Sequence, residues 1–313
     1  MRAALLAIAC VLSCLLAASA ANAAAEESKV VIGAIDAIAT LPAGVDRPPV
    51  ALLIAGSGST DRDGNGPQMK PATLKKLSDQ LVARNIATLR FDKRGAGGWK
   101  PEFGKPEDFR FKDFVTDVSA LVKYLRESGR FSKIILVGHS EGGLVAILAA
   151  QQPGVDRIVL LATAARKQGD LLKTQLERRL SAEAYAPVAK AIDSIMAGQI
   201  VDPPPPGLPI PPAMQPGLAS AFNEDPIPAM QKLIMPILIV AGGRDLQLAR
   251  LDMIALATAA PQAKTAWEPE MNHVLVDVKD DADNLAAYGQ SDRPLDPDMI
   301  DEVSAFILES AAR

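Results

Sequence analysis

Ser140 stands in Gly138-His139-Ser140-Glu141-Gly142, a G-x-S-x-G pattern. Before it, Ile134-Ile135-Leu136-Val137 reads as a short buried strand; after it, Leu144 to Ala150 reads as a buried helix. A serine on a sharp strand-to-helix turn is a nucleophile elbow. The turn presents the hydroxyl above the strand, and the helix N-terminus beneath it favours developing negative charge. The pattern alone also occurs by chance, so the rest of the chain must supply a base, an acid and donors for an oxyanion.

The sequence has two histidines, His139 and His273. Neighbours on a tight turn point apart, so His139 is not expected to take the proton of Ser140. That leaves His273, in Glu270-Met271-Asn272-His273-Val274-Leu275, after the last expected strand. An acid should orient its imidazole and stabilise the charged form. Ile237 to Ala241 reads as a strand, and Gly242-Gly243-Arg244-Asp245 follows it, which puts Asp245 on the same sheet edge as Ser140. Glu268, Glu270 and Asp277 are weaker substitutes, because they flank His273 too closely to face it. The chain order Ser140, Asp245, His273 is that of α/β-hydrolases. For the oxyanion, one donor is expected from the backbone N–H of Glu141. The second is expected from Ser57, in the loop Gly56-Ser57-Gly58-Ser59, where glycine lets backbone approach substrate.

Those side chains need a scaffold. Lys29–Thr40 reads as an edge strand or hairpin; Val50–Ala55, Ile86–Phe91, Arg157–Ala162, Pro236–Ala241 and Ala263–Glu268 read as further strands. Leu74, Leu77 and Leu81, then Phe111 to Leu125, then Ile300, Val303, Phe306 and Ile307 follow helical spacing. Apolar strands alternating with helices imply an α/β fold: a mostly parallel sheet with helices on both faces. Residues 166–235 interrupt the rhythm. Leu171–Met196 is helical, and the stretch Asp202–Pro216, with Pro203 to Pro206 in it, should be extended. This insertion is expected to be a cap, between core segments 24–165 and 236–313.

Residues 1–23 look like a signal peptide: Arg2, the apolar run Leu5–Leu16, and a small-residue cleavage site ending at Ala23. The run is short for a membrane span, so a periplasmic or secreted protein is expected, with a lipoprotein on Cys14 as the alternative. Both cysteines, Cys10 and Cys14, lie in that leader, which excludes a cysteine nucleophile after cleavage. Net charge is −4 with no basic stripe, and aromatics are 4%, which argues against nucleic acid as a partner. Asp61-x-Asp63-x-Asn65-Gly66 imitates the start of a calcium loop, but its twelfth position is Ala72 rather than glutamate. No metal and no cofactor is therefore expected. Asp61, Arg62 and Asp63 are instead expected to brace the oxyanion loop, and Asp92 and Arg94 to do similar work. Binding of a substrate carboxylate by Arg94 is the alternative.

These segments together resemble bacterial α/β-hydrolases of the serine-aminopeptidase-like group, which includes carboxylesterases. The resemblance rests on Ala55 to Asn65, Phe91-Asp92-Lys93-Arg94-Gly95, the Ser140 elbow, Gln215-Pro216, Asp225-Pro226, Asp245-Leu246-Gln247 and Asn272-His273-Val274, in that order. A proline near Ser59 and further aromatics around Phe222 are missing from the pattern. The resemblance implies a metal-free hydrolase acting on small-molecule esters through Ser140, Asp245 and His273. The competing readings are a small-peptide aminopeptidase or amidase, a non-catalytic binding protein of the same fold, and an acyltransferase. An aminopeptidase needs acids to hold a substrate ammonium, for which Glu183, Glu224 and Asp225 are available. Oligomeric state is not legible in the sequence.

Overall fold

The computed structural model describes residues 25–310; the expected signal peptide lies outside the described residues. Each segment read as a strand becomes one, the first of them as a hairpin. The strands are β1 (Glu26–Ile32), β2 (Ile35–Leu41), β3 (Val50–Ile54), β4 (Ala87–Phe91), β5 (Ile134–His139), β6 (Arg157–Leu161), β7 (Ile237–Gly242) and β8 (Lys264–Glu268). They form one sheet in the order β1-β2-β4-β3-β5-β6-β7-β8. β1 and β2 are an antiparallel hairpin, β2 joins β4 antiparallel, and every later pairing is parallel.

The central strands are buried on both faces, and their alternation divides the core. Leu52, Leu136, Leu160 and Ile239 face one cluster, with helices α2 (Lys112–Glu127), α3 (Glu141–Ala149), α7 (Pro226–Met230) and α8 (Arg250–Ala259). Leu53, Val137, Val159 and Val240 face the other, with α1 (Thr73–Val82), α9 (Asp281–Ala287) and α10 (Pro297–Leu308). Each fully buried aliphatic side chain contributes roughly 1.5–3 kcal/mol, so this two-sided burial fixes the strand register that carries the site.

The sequence of connections reverses at β3, which pairs with β4 on one side and β5 on the other. In open α/β sheets a crevice opens at such a switch point, beyond the carboxyl ends of the strands. The Gly56-Ser57 loop leaves β3 there, and Ser140 leaves β5 beside it.

Between β6 and β7 the insertion holds α4 (Gln168–Glu177), α5 (Ala182–Met196), α6 (Gln215–Phe222) and then α7. The stretch expected to be helical is two helices, because Ser181 starts a new one by accepting from the Ala184 N–H. The expectation of extended chain through Pro216 also needs correction: Gln215 and Pro216 open α6, where proline in the first turn lacks nothing the helix needs. Val188, Ile192 and Ile195 of α5 pack with Leu208 and Phe222 into a small core separate from those of the sheet.

Candidate active site

Ser140 lies at the end of β5 with φ +55° and ψ −121°, and α3 starts at the next residue. A residue with a side chain in such backbone costs on the order of 1–3 kcal/mol, so the surroundings must hold it. Its N–H donates to the Leu161 carbonyl at 2.9 Å. The flanking glycines are required by close approach. A Cβ on Gly138 would drive into the Gly142 backbone, and one on Gly142 would drive into the carbonyl of Ile54.

The structure brings Ser140, Asp245 and His273 together. His273 Nε2 lies 3.1 Å from Ser140 Oγ, and His273 Nδ1 lies 2.7 Å from Asp245 Oδ2. The side chains of His273 and Asp245 are 6% and 3% exposed. A carboxylate only accepts, so Nδ1 carries the proton and Nε2 is free to accept the hydroxyl of Ser140. Asp245 Oδ1 accepts the N–H groups of Gln247 at 2.7 Å and Leu248 at 3.0 Å. Burial pushes the Asp245 carboxyl up, but His273 and the two amides outweigh it and hold it below its ordinary range. Among the alternative acids, Glu270 pairs with Arg244 at 3.1 Å, and His273 Nδ1 is bonded to Asp245 alone among the described residues.

The loop that carries His273 is held by residues the sequence did not single out for this. Asn272 is fully buried, and its Oδ1 accepts the N–H groups of Val274 at 3.0 Å and Val276 at 3.2 Å. Its Nδ2 donates to Asn284 Oδ1 at 2.9 Å, and Asn284 donates in turn to the Arg244 carbonyl at 2.7 Å. The histidine loop and the aspartate loop are thereby joined. His139 turns away from Ser140; its Nε2–H donates to the His273 carbonyl at 2.8 Å. Burial first, then the neighbouring His273, lowers its pKa to about 4, so the ring is neutral near pH 7.

Ser57 and Glu141 line the same cavity as Ser140, of about 230 Å³. Glu141 is the first residue of α3, so its N–H has no intrahelical acceptor. Gly56 packs against the elbow, where a Cβ on it would lie 3.3 Å from Ser140 Cβ. Behind this loop sits Lys93, which the sequence reading left without a role. It is 4% exposed, and its Nζ donates to the Gly56 carbonyl at 2.8 Å and to Glu141 Oε1 at 2.6 Å. From the insertion, Leu171, Leu172, Leu218 and Phe222 line the same cavity as Ser140.

The loop after Ser57 is braced as its residue types suggest. Asp61 Oδ1 accepts the N–H groups of Asp63 at 3.0 Å and Asn65 at 2.8 Å. Arg62 pairs with Asp92, and Asp63 pairs with the buried Arg90. Arg94 is engaged by both oxygens of Asp117, at 2.7 and 2.8 Å, which argues against its holding a substrate carboxylate.

Sheet order, elbow and strand-end loops define the class: the chain has the α/β-hydrolase fold. Residues 70–199, which include the Ser140 elbow, match the model of the serine aminopeptidase S33 family. Esterase EstD of Thermotoga maritima is 24% identical over 303 residues, covering 91% of this chain and 68% of its own. Est1E from Butyrivibrio proteoclasticus, solved with ferulic acid bound, has a TM-score of 0.56 at 18% identity over 88% of this chain and 97% of its own. A Pyrococcus furiosus esterase has a TM-score of 0.56 at 12% identity over 91% of this chain and 90% of its own. At these identities the solved structures establish the fold.

Proposed function

We propose that the protein is a serine esterase that cleaves small to medium acyl esters through an acyl-enzyme on Ser140. One observation carries this reading: the unbroken chain of hydrogen bonds from Ser140 Oγ through His273 to Asp245, at 3.1 and 2.7 Å. His273 Nε2 accepts the proton of Ser140 as Oγ attacks the ester carbonyl. The N–H groups of Ser57 and Glu141 receive the oxyanion. The protonated imidazole, stabilised by Asp245, then gives its proton to the leaving alkoxide. Water activated by the same imidazole releases the acid.

The cavity favours an ester over an amino-terminal peptide. Holding a substrate ammonium takes a free carboxylate. Among the described residues the one acid that lines the cavity, Glu141, is paired with Lys93, while Glu183, Glu224 and Asp225 are not among the lining residues. Asp225 caps α7 instead, accepting the Ile227 N–H at 3.0 Å. The inserted helices act as the cap, and their leucines and Phe222 favour an apolar acyl group. The relative named an esterase, at 24% identity, supports the same choice. The test is kcat/KM on an aryl acetate and on an amino-acid anilide, for wild type and Ser140→Ala. The ester should be preferred at least 100-fold, and the variant should lose on the order of 10⁴- to 10⁶-fold, about 5–8 kcal/mol of barrier. Preference for the anilide would favour the peptidase; unchanged ester hydrolysis by the variant would exclude the mechanism.

We further propose that residues 1–23 direct export, on the strength of Arg2, the apolar run and Ala21-Asn22-Ala23. A mature N-terminus following Ala23 in the periplasm or medium is the expected result, and an intact leader on the cytoplasmic protein the contrary one.

A further inference from the structure

We propose that Lys93 is a positioning residue that aims both oxyanion donors at once. This rests on the esterase reading above, and in particular on Ser57 and Glu141 as the donors. Lys93 leaves the end of β4 and reaches into the space between the two segments that would supply them. Its ammonium has three partners: the Gly56 carbonyl at 2.8 Å, Glu141 Oε1 at 2.6 Å, and the face of Phe114 at 4.4 Å from the ring centroid.

The Gly56 carbonyl and the Ser57 N–H belong to the same peptide unit. In a trans peptide the two point in opposite directions across a rigid plane. Drawing the oxygen toward Lys93 therefore turns the N–H away from it, on the side where the loop lines the cavity with Ser140. A positive charge on the carbonyl also polarises the peptide and makes its N–H a stronger donor. The second contact fixes the side chain of Glu141, the residue whose own N–H opens α3. One buried cation thus ties the strand-end loop to the elbow.

The position is costly for a charge. Burying an ammonium requires pairing and hydrogen bonding, and replacing a buried ion pair by apolar groups is often neutral or stabilising. A methionine could fill the same space. The geometry accounts for a lysine instead: a fold-stabilising bridge needs only Glu141, whereas the donor to the Gly56 carbonyl serves the site.

The test compares Glu141→Gln with the double variant Lys93→Met/Glu141→Gln, neither of which leaves a lone buried carboxylate. Both keep the backbone N–H of residue 141. Readouts are kcat and KM on an aryl acetate, the Ki of a trifluoromethyl ketone whose serine adduct carries the oxyanion, and the unfolding midpoint. Removing one oxyanion donor outright costs about 10²- to 10³-fold in kcat, so a donor left in place but unaimed should cost about 10- to 100-fold. The expected result is that the double variant falls at least about tenfold further in kcat than Glu141→Gln, which keeps Lys93 on Gly56. The double variant should lose about 10- to 100-fold in kcat, with KM within threefold and Ki weakened in proportion. A folded double variant with kcat and Ki within threefold of wild type overturns the proposal. So does an equal loss in the single and double variants, which would mean that the ion pair alone matters. If the methionine variant does not fold, Lys93→Gln in the Glu141→Gln background replaces it, with a loss of about 5- to 20-fold expected and unchanged kcat overturning the proposal. Failure here leaves the Ser140→Ala result untouched, so the two readings fail separately.

Discussion

In the proposed mechanism, Ser140, His273 and Asp245 are ordinary residue types that their surroundings make reactive. Ser140 is held in strained backbone, His273 is fixed in one tautomer, and Asp245 is kept ionised by three donors. Their types and order were legible because the elbow is a local pattern and because only two histidines compete for the role of base. The supporting residues were not legible. Nothing local marks Lys93 as buried, and the bond from His139 to the His273 carbonyl spans 133 intervening positions. His139 yields a prediction about stability. Its folded pKa of about 4 lies below the unfolded value of ~6.5, so between those values the unfolded chain binds more protons. Its contribution is therefore complete above about pH 6.5 and is lost as pH falls toward 4. Asp277 works in the opposite direction: burial, then its bond to Asp296, raises it to about 7. A difference between variants cancels that term. From pH 7 to pH 5, wild type should lose roughly 1–2 kcal/mol more urea stability than His139→Gln. Parallel losses would mean that His139 is not held neutral.

Every sheet strand of the core could be read from its run of apolar residues, because strands buried on both faces have little alternative composition. The elements that escaped lack such a signal. α8 carries exposed Leu251 and Ile254 beside buried Met253 and Leu256, so no clean stripe marks it. α9 spans only seven residues. The return loop around His273 has no periodicity at all, and its shape depends on Asn272. Removing that side chain strands the N–H groups of Val274 and Val276 in a buried site, at about 1–3 kcal/mol for each group. We predict that Asn272→Ala lowers stability by about 2–4 kcal/mol and kcat at least tenfold with KM little changed, measured by urea unfolding and ester kinetics. Full activity in a destabilised variant would show that the loop finds its geometry without the asparagine.

At the scale of the molecule, loops at the strand ends of the sheet carry the proposed reacting groups, and a separately cored insertion supplies Leu171, Leu172, Leu218 and Phe222 to the same cavity. The insertion was legible as an interruption of the strand rhythm, but its contacts with the site were not, since they depend on how α4 and α6 fold back over the strand ends. Replacing Leu172 by alanine should enlarge the cavity and raise kcat/KM for octanoyl relative to acetyl esters by at least about fivefold, or roughly 1 kcal/mol. An unchanged ranking would mean that the acyl chain lies elsewhere. The central claim is that Oγ of residue 140 is made nucleophilic by its contact with the imidazole of residue 273. Its most direct measurement is labelling by a fluorophosphonate, with the modified peptide located by mass spectrometry. The account predicts one adduct per chain, on Ser140, formed at least 100-fold more slowly in His273→Ala. No adduct on Ser140, or labelling as fast without the imidazole, would contradict it.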